Sequence, residues 1–162
     1  MAGLMTIEDD IAFLEQVPTL GLLGRDALRI LAIGAEEREL RQGEVLFTAG
    51  DASDGAYIVQ RGRLLLSATG EVPGGEMTVG RHALVGEHAL LTETRRPVTA
   101  TALEPALLLR ISRSLFRKML EGFPETAVRL RDYLAARTER AGRDLYAVRM
   151  MIDPDAGKPG RG

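Results

Sequence analysis

The chain has 162 residues, of which 45% are apolar and 27% charged, and its formal net charge is −2. This balance is typical of a globular domain that buries a core, and it excludes disordered and collagen-like classes. The chain has no cysteine, which excludes disulfides, thiolate metal sites and cysteine nucleophiles. The longest uncharged stretch, Gln16 to Gly24, has only nine residues, so no membrane span is expected. The early Glu8, Asp9 and Asp10 do not fit a signal peptide, so we expect a cytoplasmic protein.

Charge is unevenly divided along the chain. Residues 1–109 carry 9 basic and 16 acidic side chains, whereas residues 110–149 carry 10 basic and 5 acidic ones. A solvated helix face accounts for such an excess, since nucleic-acid binding usually needs a stronger and more localised one.

The first 42 residues are predicted to form an N-terminal helical segment. Thr6 and Asp9 form a capping-box pattern at the start of one helix, and Pro18 ends it. A second helix is predicted from Arg25 to Ala35. We interpret Glu36 and Glu37 as solvated charges at the end of that helix.

In residues 43–111 the sequence pattern changes to short apolar runs separated by glycine, aspartate and proline. The runs are Val45-Leu46-Phe47, Tyr57-Ile58-Val59, Leu64-Leu65-Leu66, Met77-Thr78-Val79, Val98 to Leu103, and Leu107-Leu108-Leu109. Short strands at this spacing predict a small all-β barrel or sandwich.

Residues 112–152 are predicted to return to helix, and residues 153–162 to form a flexible tail. Ser112 or Ser114 is the candidate N-cap of a first helix, and Pro124 begins a longer one that reaches Met151. An apolar stripe runs along this long helix: Ala127, Leu134, Thr138, Ala141, Leu145, Val148 and Ile152. The stripe favours a homodimer through the C-terminal helix, and the alternative is packing on the chain's own barrel.

Catalytic signatures are absent from the sequence. It contains no nucleophile elbow, phosphate-binding P-loop, dinucleotide fingerprint or zinc-binding helix motif. His82 and His88 are the only histidines, and two histidines across a predicted turn do not make a metal site. We therefore expect no catalytic residues and no metal.

Two motifs close together combine the groups that a small phosphorylated sugar requires. Gly86 follows a predicted strand, and a helical turn at Glu87 to Leu91 would direct N–H groups at an anion. Arg96, at the start of the next strand, could make a bidentate phosphate contact, and Glu87 could accept hydrogen bonds from sugar hydroxyls. In the alternative interpretation Arg96 pairs with Glu87 in an empty pocket.

These motifs resemble the phosphate-binding cassette of the cyclic nucleotide-binding domain family. Gly86-Glu87-His88-Ala89-Leu90 matches its first half, and Arg96-Pro97-Val98-Thr99 matches its second half in register. The resemblance extends through Gly43, Phe47, Gly50-Asp51, Tyr57-Ile58-Val59 and Gly62 before the cassette, and through Leu109, Ile111 and Phe116 after it. It implies an eight-stranded jelly-roll barrel with flanking N-terminal helices and a long C-terminal helix.

The resemblance also assigns roles to the cassette residues. Glu87 would accept the ribose 2′-hydroxyl and Arg96 would bind the cyclic phosphate. Gly86, His88 and Ala89 would line the pocket, the last through its backbone N–H. The positions that follow the arginine, Pro97, Val98 and Thr99, complete the predicted ligand-binding set.

Pro97 departs from the family pattern. The family residue at this position usually donates its backbone N–H to the phosphate, and proline has none. One unmade bond to a partly buried phosphate costs roughly 1.5 to 3 kcal/mol, or about tenfold to a hundredfold in affinity. Pro97 also lacks the hydroxyl that favours guanine in some relatives, so the base is not assigned by this position.

The resulting expectation is a stand-alone regulatory module, not an enzyme. It would sense a cyclic mononucleotide, cyclic AMP ahead of cyclic GMP, without another cofactor, and would signal through its C-terminal helix to an unknown downstream protein. One alternative is a dimerising interaction protein with a degenerate pocket. The other is a relative of Crp/Fnr-type transcription regulators that lacks the helix-turn-helix. Only about ten residues follow the predicted long helix, too few for a DNA-binding module, so we expect no direct DNA binding. We also expect no membrane partner, because no uncharged stretch is long enough to span a membrane.

Overall fold

The first N-terminal helix begins where its capping residues predict. The computed structural model describes residues 6–68 and 75–136. Helix α1, Ile7–Glu15, is capped at its N-terminus by the capping box. The Thr6 hydroxyl accepts from the Asp9 N–H, and the Asp9 carboxylate accepts from the Thr6 N–H, both at 3.1 Å. A 3-10 helix, Leu20–Leu22, and helix α2, Arg25–Gly34, follow.

Two four-stranded antiparallel sheets form the centre of the molecule. The eight strands found in the described residues are β1 (Glu36–Leu40), β2 (Val45–Phe47), β3 (Gly55–Arg61), β4 (Leu64–Ala68), β5 (Glu76–Val79), β6 (Leu84–Val85), β7 (Val98–Ala102) and β8 (Ala106–Ser112). One sheet has the order β1-β8-β3-β6 and the other β2-β7-β4-β5. The mainly β, jelly-roll class with flanking helices is confirmed.

The first strand corrects the predicted boundary at Gly43. Strand β1 begins at Glu36 and pairs with β8, so that Glu36 lies opposite Arg110. Its residues are exposed from Glu36 to Glu39, and only Leu40 is buried. The interpretation of Glu36 and Glu37 as helix-end charges is therefore wrong, because both residues belong to a strand. The sequence does not reveal this strand, since an exposed edge strand shows no alternation of apolar and polar residues.

Strand β3 connects two hydrophobic cores. Its side chains alternate between the two faces of the sheet. Tyr57 and Val59 belong to the core between the two sheets, whereas Ala56 and Ile58 belong to the core under the helices. All of β3 except Arg61 is buried, so the strand fixes the helices and the second sheet relative to each other.

The helices after the sheets also begin as predicted. The Ser112 hydroxyl accepts from the Leu115 N–H at 3.1 Å and caps helix α3, Arg113–Gly122. Helix α4 begins at Pro124 and is described through residue 136. Leu130 is buried and Leu134 packs on the helical core of the same chain.

Most of the predicted C-terminal features lie outside the described residues. These are the apolar stripe from Thr138 to Ile152 and the tail 153–162. The predicted homodimer contact stays a prediction. None of the helices in residues 6–68 and 75–136 combines the length and apolar character that a membrane span requires.

An aromatic stack holds α1 against the turn between β5 and β6. The imidazole of His82 stacks on the ring of Phe13, with 4.7 Å between the centroids. The guanidinium carbon of Arg81 lies 5.1 Å from the centroid of the same ring. Burial, and secondarily the charge of Arg81, lowers the pKa of His82 below its usual 6.5.

This stack predicts a dependence of stability on pH. Because the folded pKa of His82 is lower than the unfolded one, the unfolded state binds more protons between the two values. The free energy of unfolding should therefore fall as the pH decreases through the ordinary histidine pKa of 6.5 and towards the lower folded value. His82→Asn, which tolerates the positive φ of 74° at this position, should reduce that fall in urea unfolding. His88→Asn is the matched control, and equal pH slopes for wild type and His82→Asn would contradict the prediction.

Candidate functional site

A cavity of about 460 Å³ opens between the two sheets. The loop after β6 forms one wall, and the segment leading into β7 forms the other. The lining residues are Phe47, Ser53, Leu66, Leu84, Val85, Gly86, Glu87, His88, Ala89, Thr94, Arg95, Arg96, Pro97 and Val98.

Seven of the eight predicted ligand-binding residues line this cavity, and Thr99 does not. The Thr99 hydroxyl instead accepts a hydrogen bond from the backbone N–H of Ala49 at 2.9 Å. Phe47, Ser53 and Thr94 also line the cavity, although they lie outside the motif. Thr94 lies between the two halves of the motif, whereas Phe47 and Ser53 are brought to the cavity by the fold.

Gly86 permits the close approach of the two walls. It lies between β6 and a 3-10 helix, Glu87–Leu90, with a φ of 82° in the left-handed region. A Cβ at this position would clash with Nη1 of Arg96. Glycine therefore satisfies both the backbone conformation and the space that the arginine occupies.

Arg96 is the buried cation of the cavity, with only 5% of its surface exposed. Its Nη2 donates to the carbonyl oxygen of Gly55 at 2.8 Å, whereas Nη1 is buried and has no acceptor among residues 6–68 and 75–136. The backbone is held by the loop before β3, since the N–H of Arg96 donates to Asp51 O and its carbonyl accepts from Gly50 N, both at 2.8 Å. An unsatisfied buried donor is costly, and an anion in the cavity would satisfy it.

The charge of Arg96 has no acidic partner among the described residues. No carboxylate in residues 6–68 and 75–136 lies within ion-pair distance of it, so the alternative of an Arg96–Glu87 pair is not found there. Burial lowers the pKa of Arg96, although a guanidinium stays charged at neutral pH. The cavity thus presents a cation that no described side chain neutralises.

Glu87 is oriented by the N-terminal segment. Its Oε2 accepts a hydrogen bond from the hydroxyl of Thr19 at 2.9 Å. Thr19 is buried, with a φ of 77°, directly before the first 3-10 helix. A positive φ at a β-branched residue is strained, and it persists only where surrounding contacts hold it. The N-terminal helices are therefore joined to the cassette at the carboxylate itself.

The backbone N–H of Ala89, which the resemblance assigns to the ligand, already donates a hydrogen bond within the turn at the 3-10 helix. Its acceptor is Gly86 O, at 3.0 Å. His88 is exposed, and Ala89 and Leu90 are buried. Pro97 is exposed on the opposite wall. Among the described residues of the cavity, the buried N–H donor that has no acceptor therefore belongs to Arg96 and not to the turn.

Arg113, the first residue of α3, connects both walls of the cavity. Its Nε donates to Ala89 O at 2.8 Å, and its Nη2 donates to Ser53 O at 2.6 Å. Ser53 in turn donates to Thr94 O through both its N–H, at 3.0 Å, and its hydroxyl, at 2.6 Å. The position of α3 and the shape of the cavity are therefore linked by hydrogen bonds.

The chemistry available in this cavity is binding. A buried guanidinium and a carboxylate can hold an anion that also carries hydroxyl groups. Within the part of the chain that the structure describes, no group of three or more His, Asp or Glu side chains is placed to hold a metal ion.

Comparison with known proteins agrees with this geometry. The model of the cyclic nucleotide-binding domain family matches residues 37–123. A cyclic nucleotide-binding-like protein from Brucella abortus is 40% identical, with a TM-score of 0.61 over 70% of this chain and 98% of that one. The N-terminal domain of a transcriptional regulator from Streptomyces coelicolor is 29% identical, with a TM-score of 0.71 over 82% and 94%.

Two further matches come from larger proteins. The regulatory domain of Toxoplasma gondii PKA, whose structure contains cAMP, is 27% identical, with a TM-score of 0.62 over 70% of this chain and 44% of that one. The lysophospholipase nte1 of Aspergillus niger is 32% identical over 126 residues, which are 75% of this chain. The chain spans only 8% of the length of that curated relative.

Gly86→Ala should destabilise the chain more than Gly43→Ala. Both glycines have a φ above 80°, so both substitutions introduce about 1 to 2 kcal/mol of backbone strain. Only at Gly86 does the new Cβ also meet Arg96, whereas the space at Gly43 is open. Urea unfolding measures the difference, which should shrink when Arg96→Ala is combined with each substitution. Equal losses for the two glycines in the wild-type background would contradict the close approach.

Arg113→Ala should loosen both walls of the cavity. The substitution removes the hydrogen bonds to Ala89 and Ser53, with an expected loss of roughly 1 to 3 kcal/mol of stability. Amide hydrogen exchange should become faster in the 3-10 helix Glu87–Leu90 and around Thr94. Arg117→Ala, at an exposed position of the same helix, is the control. Unchanged exchange at both walls would show that Arg113 does not connect them.

Proposed function

The chain belongs to the cyclic nucleotide-binding domain family, and on that premise we propose that it binds a cyclic mononucleotide, cyclic AMP ahead of cyclic GMP, as a regulatory module rather than an enzyme. The observation that carries this proposal is the buried Nη1 of Arg96, which lies next to Gly86 and has no acceptor in the part of the chain that the structure describes. An intact ligand-binding site is the physical reason to keep such a donor unsatisfied.

The two charged residues define how the ligand lies. The cyclic phosphate would accept from Nη1 of Arg96, and a ribose hydroxyl would donate to Glu87. A cyclic phosphodiester carries one negative charge, which one guanidinium neutralises. The carboxylate of Glu87 would disfavour a second negative charge, so the site should prefer the cyclic diester to a 5′-monophosphate.

Pro97 limits the affinity, because it removes one phosphate donor. The expected cost is about tenfold to a hundredfold, which leaves binding in the micromolar range. Because Pro97 also lacks a hydroxyl, it gives no preference for guanine. The similarity to the cAMP-containing regulatory domain of Toxoplasma gondii PKA supports adenine as the base.

The output of the module would pass through its C-terminal helices. Arg113 joins α3 to both walls of the cavity, so closure of the walls on a ligand would shift α3 and α4 with it. Such a response needs a ligand that binds the closed state better than the open one. A cytoplasmic homodimer that acts on a separate protein is the arrangement we propose.

Pro97 supports one other function. An exposed proline in place of a phosphate donor is also what a degenerate pocket would contain, and the barrel would then serve as a dimerising interaction protein. The two functions differ in one measurable property. A nucleotide-binding module gains thermal stability with rising nucleotide concentration, and a degenerate one does not.

Calorimetric titration with cyclic AMP, cyclic GMP and 5′-AMP tests the proposal. We expect micromolar binding of cyclic AMP, weaker binding of cyclic GMP, and the weakest binding of 5′-AMP. Arg96→Ala should reduce the affinity for cyclic AMP by about tenfold to a hundredfold, because a charge-assisted contact to the phosphate is lost. Arg63→Ala, at an exposed ion pair with Glu104, is the control. Absence of heat with either cyclic nucleotide up to about millimolar concentration would reject nucleotide binding.

A further inference from the structure

Two aromatic rings enclose the guanidinium of Arg96. Its central carbon lies 4.3 Å from the ring centroid of Phe47 and 5.8 Å from that of Tyr57. Phe47 comes from β2 and Tyr57 from β3, which belong to different sheets. Both side chains are buried, and their ring centroids are 6.1 Å apart.

The rings stabilise a charge that no described carboxylate contacts. Burial makes the charged form of Arg96 less favourable and lowers its pKa. Asp54 attracts the charge from a distance, whereas Arg113 and Arg110 repel it. The negative face of an aromatic ring attracts a cation within about 6 Å of its centroid, and this attraction is strongest where water is excluded. Phe47 meets this condition most closely.

An aromatic partner differs from a carboxylate in its effect on binding. A carboxylate would occupy the donors of Arg96 and would have to be displaced by an incoming phosphate. The ring of Phe47 lies under the guanidinium carbon and takes up none of the hydrogen-bond donors, so Nη1 has no acceptor among the described residues. The ring also stays in place after the ligand enters, so the arginine does not need to be reoriented on binding.

We propose that Phe47 is a positioning residue that stacks on Arg96 and holds its guanidinium, already oriented, in the empty site. This inference rests on the proposed function where it concerns nucleotide affinity. The stacking itself is a property of the ligand-free chain. Tyr57 supports the same arrangement from a greater distance.

Stepwise fluorination of Phe47 tests this role with little change in size. Incorporation of mono-, di- and trifluorophenylalanine at this position progressively weakens the negative face of the ring. The dissociation constant for cyclic AMP should rise with each fluorine, up to about 5- to 30-fold in total. The same series at Phe116, a buried ring of α3 with no cation over it among the described residues, is the matched control. A flat series at Phe47 would overturn the positioning role.

Conventional variants provide a second test. Phe47→Leu should weaken cyclic AMP binding by a similar factor. Phe47→Tyr keeps an aromatic face at this position and should bind cyclic AMP with nearly the affinity of wild type. The effect of Phe47→Leu should largely disappear in the Arg96→Ala background, since Phe47 acts through the arginine. An undiminished effect in that background would show that Phe47 acts on the ligand or the fold instead.

Side-chain NMR of the ligand-free protein separates this inference from the proposed function. The Arg96 guanidinium signal, assigned by its loss in Arg96→Lys, should carry a ring-current shift that Phe47→Leu removes. If wild type binds no cyclic nucleotide but shows this shift, the proposed function fails and the stacking stands. If the shift is absent from wild type, the inference fails even where cyclic AMP binds.

Discussion

A guanidinium that is only 5% exposed requires acceptors for its donors and a stabilising environment for its charge. The ligand-free chain meets the first requirement only in part, through Gly55 O, and meets the second with the faces of two aromatic rings. Space for the guanidinium exists only because Gly86 has no side chain. Residues that the motif presents as independent are therefore coupled by one buried cation. Among the described residues, Nη1 of this arginine has no hydrogen-bond acceptor.

Strand β3 is the reason that this cation and the fold depend on each other. The strand begins with Gly55, whose carbonyl accepts from Arg96, and two residues later presents Tyr57 to the guanidinium. The same strand pairs with β8 and β6 and contributes to both hydrophobic cores. Displacement of Arg96 would thus act on a strand with buried neighbours on both faces. A change in stability and a change in the site should accompany each other at these positions.

The sequence predicts features that depend on neighbouring residues, and it does not predict contacts between segments that are far apart in the chain. The capping box of Thr6, the cap at Ser112 and the cassette glycine follow from neighbouring residues, and the structure has each in the expected place. Strand β1 could not be predicted from neighbouring residues, because it is a charged edge strand that forms only by pairing with β8. The contacts that orient the site join residues 41 and 68 positions apart, from Arg96 to Gly55 and from Thr19 to Glu87. Residue spacing does not predict such pairs, because they form only when distant segments pack together in the folded chain.

The two helical parts of the chain contact different residues of the same cavity. Thr19, in the N-terminal segment, donates to Glu87 at the end that would hold the sugar. Arg113, at the start of α3, donates to Ala89 and Ser53, which lie on the two walls around the phosphate end. A ligand that bridges Glu87 and Arg96 would therefore pull on both helical parts at once. Because the helices also share one hydrophobic core, neither can move far without repacking the other, and repacking of that core makes two discrete states more favourable than a gradual response.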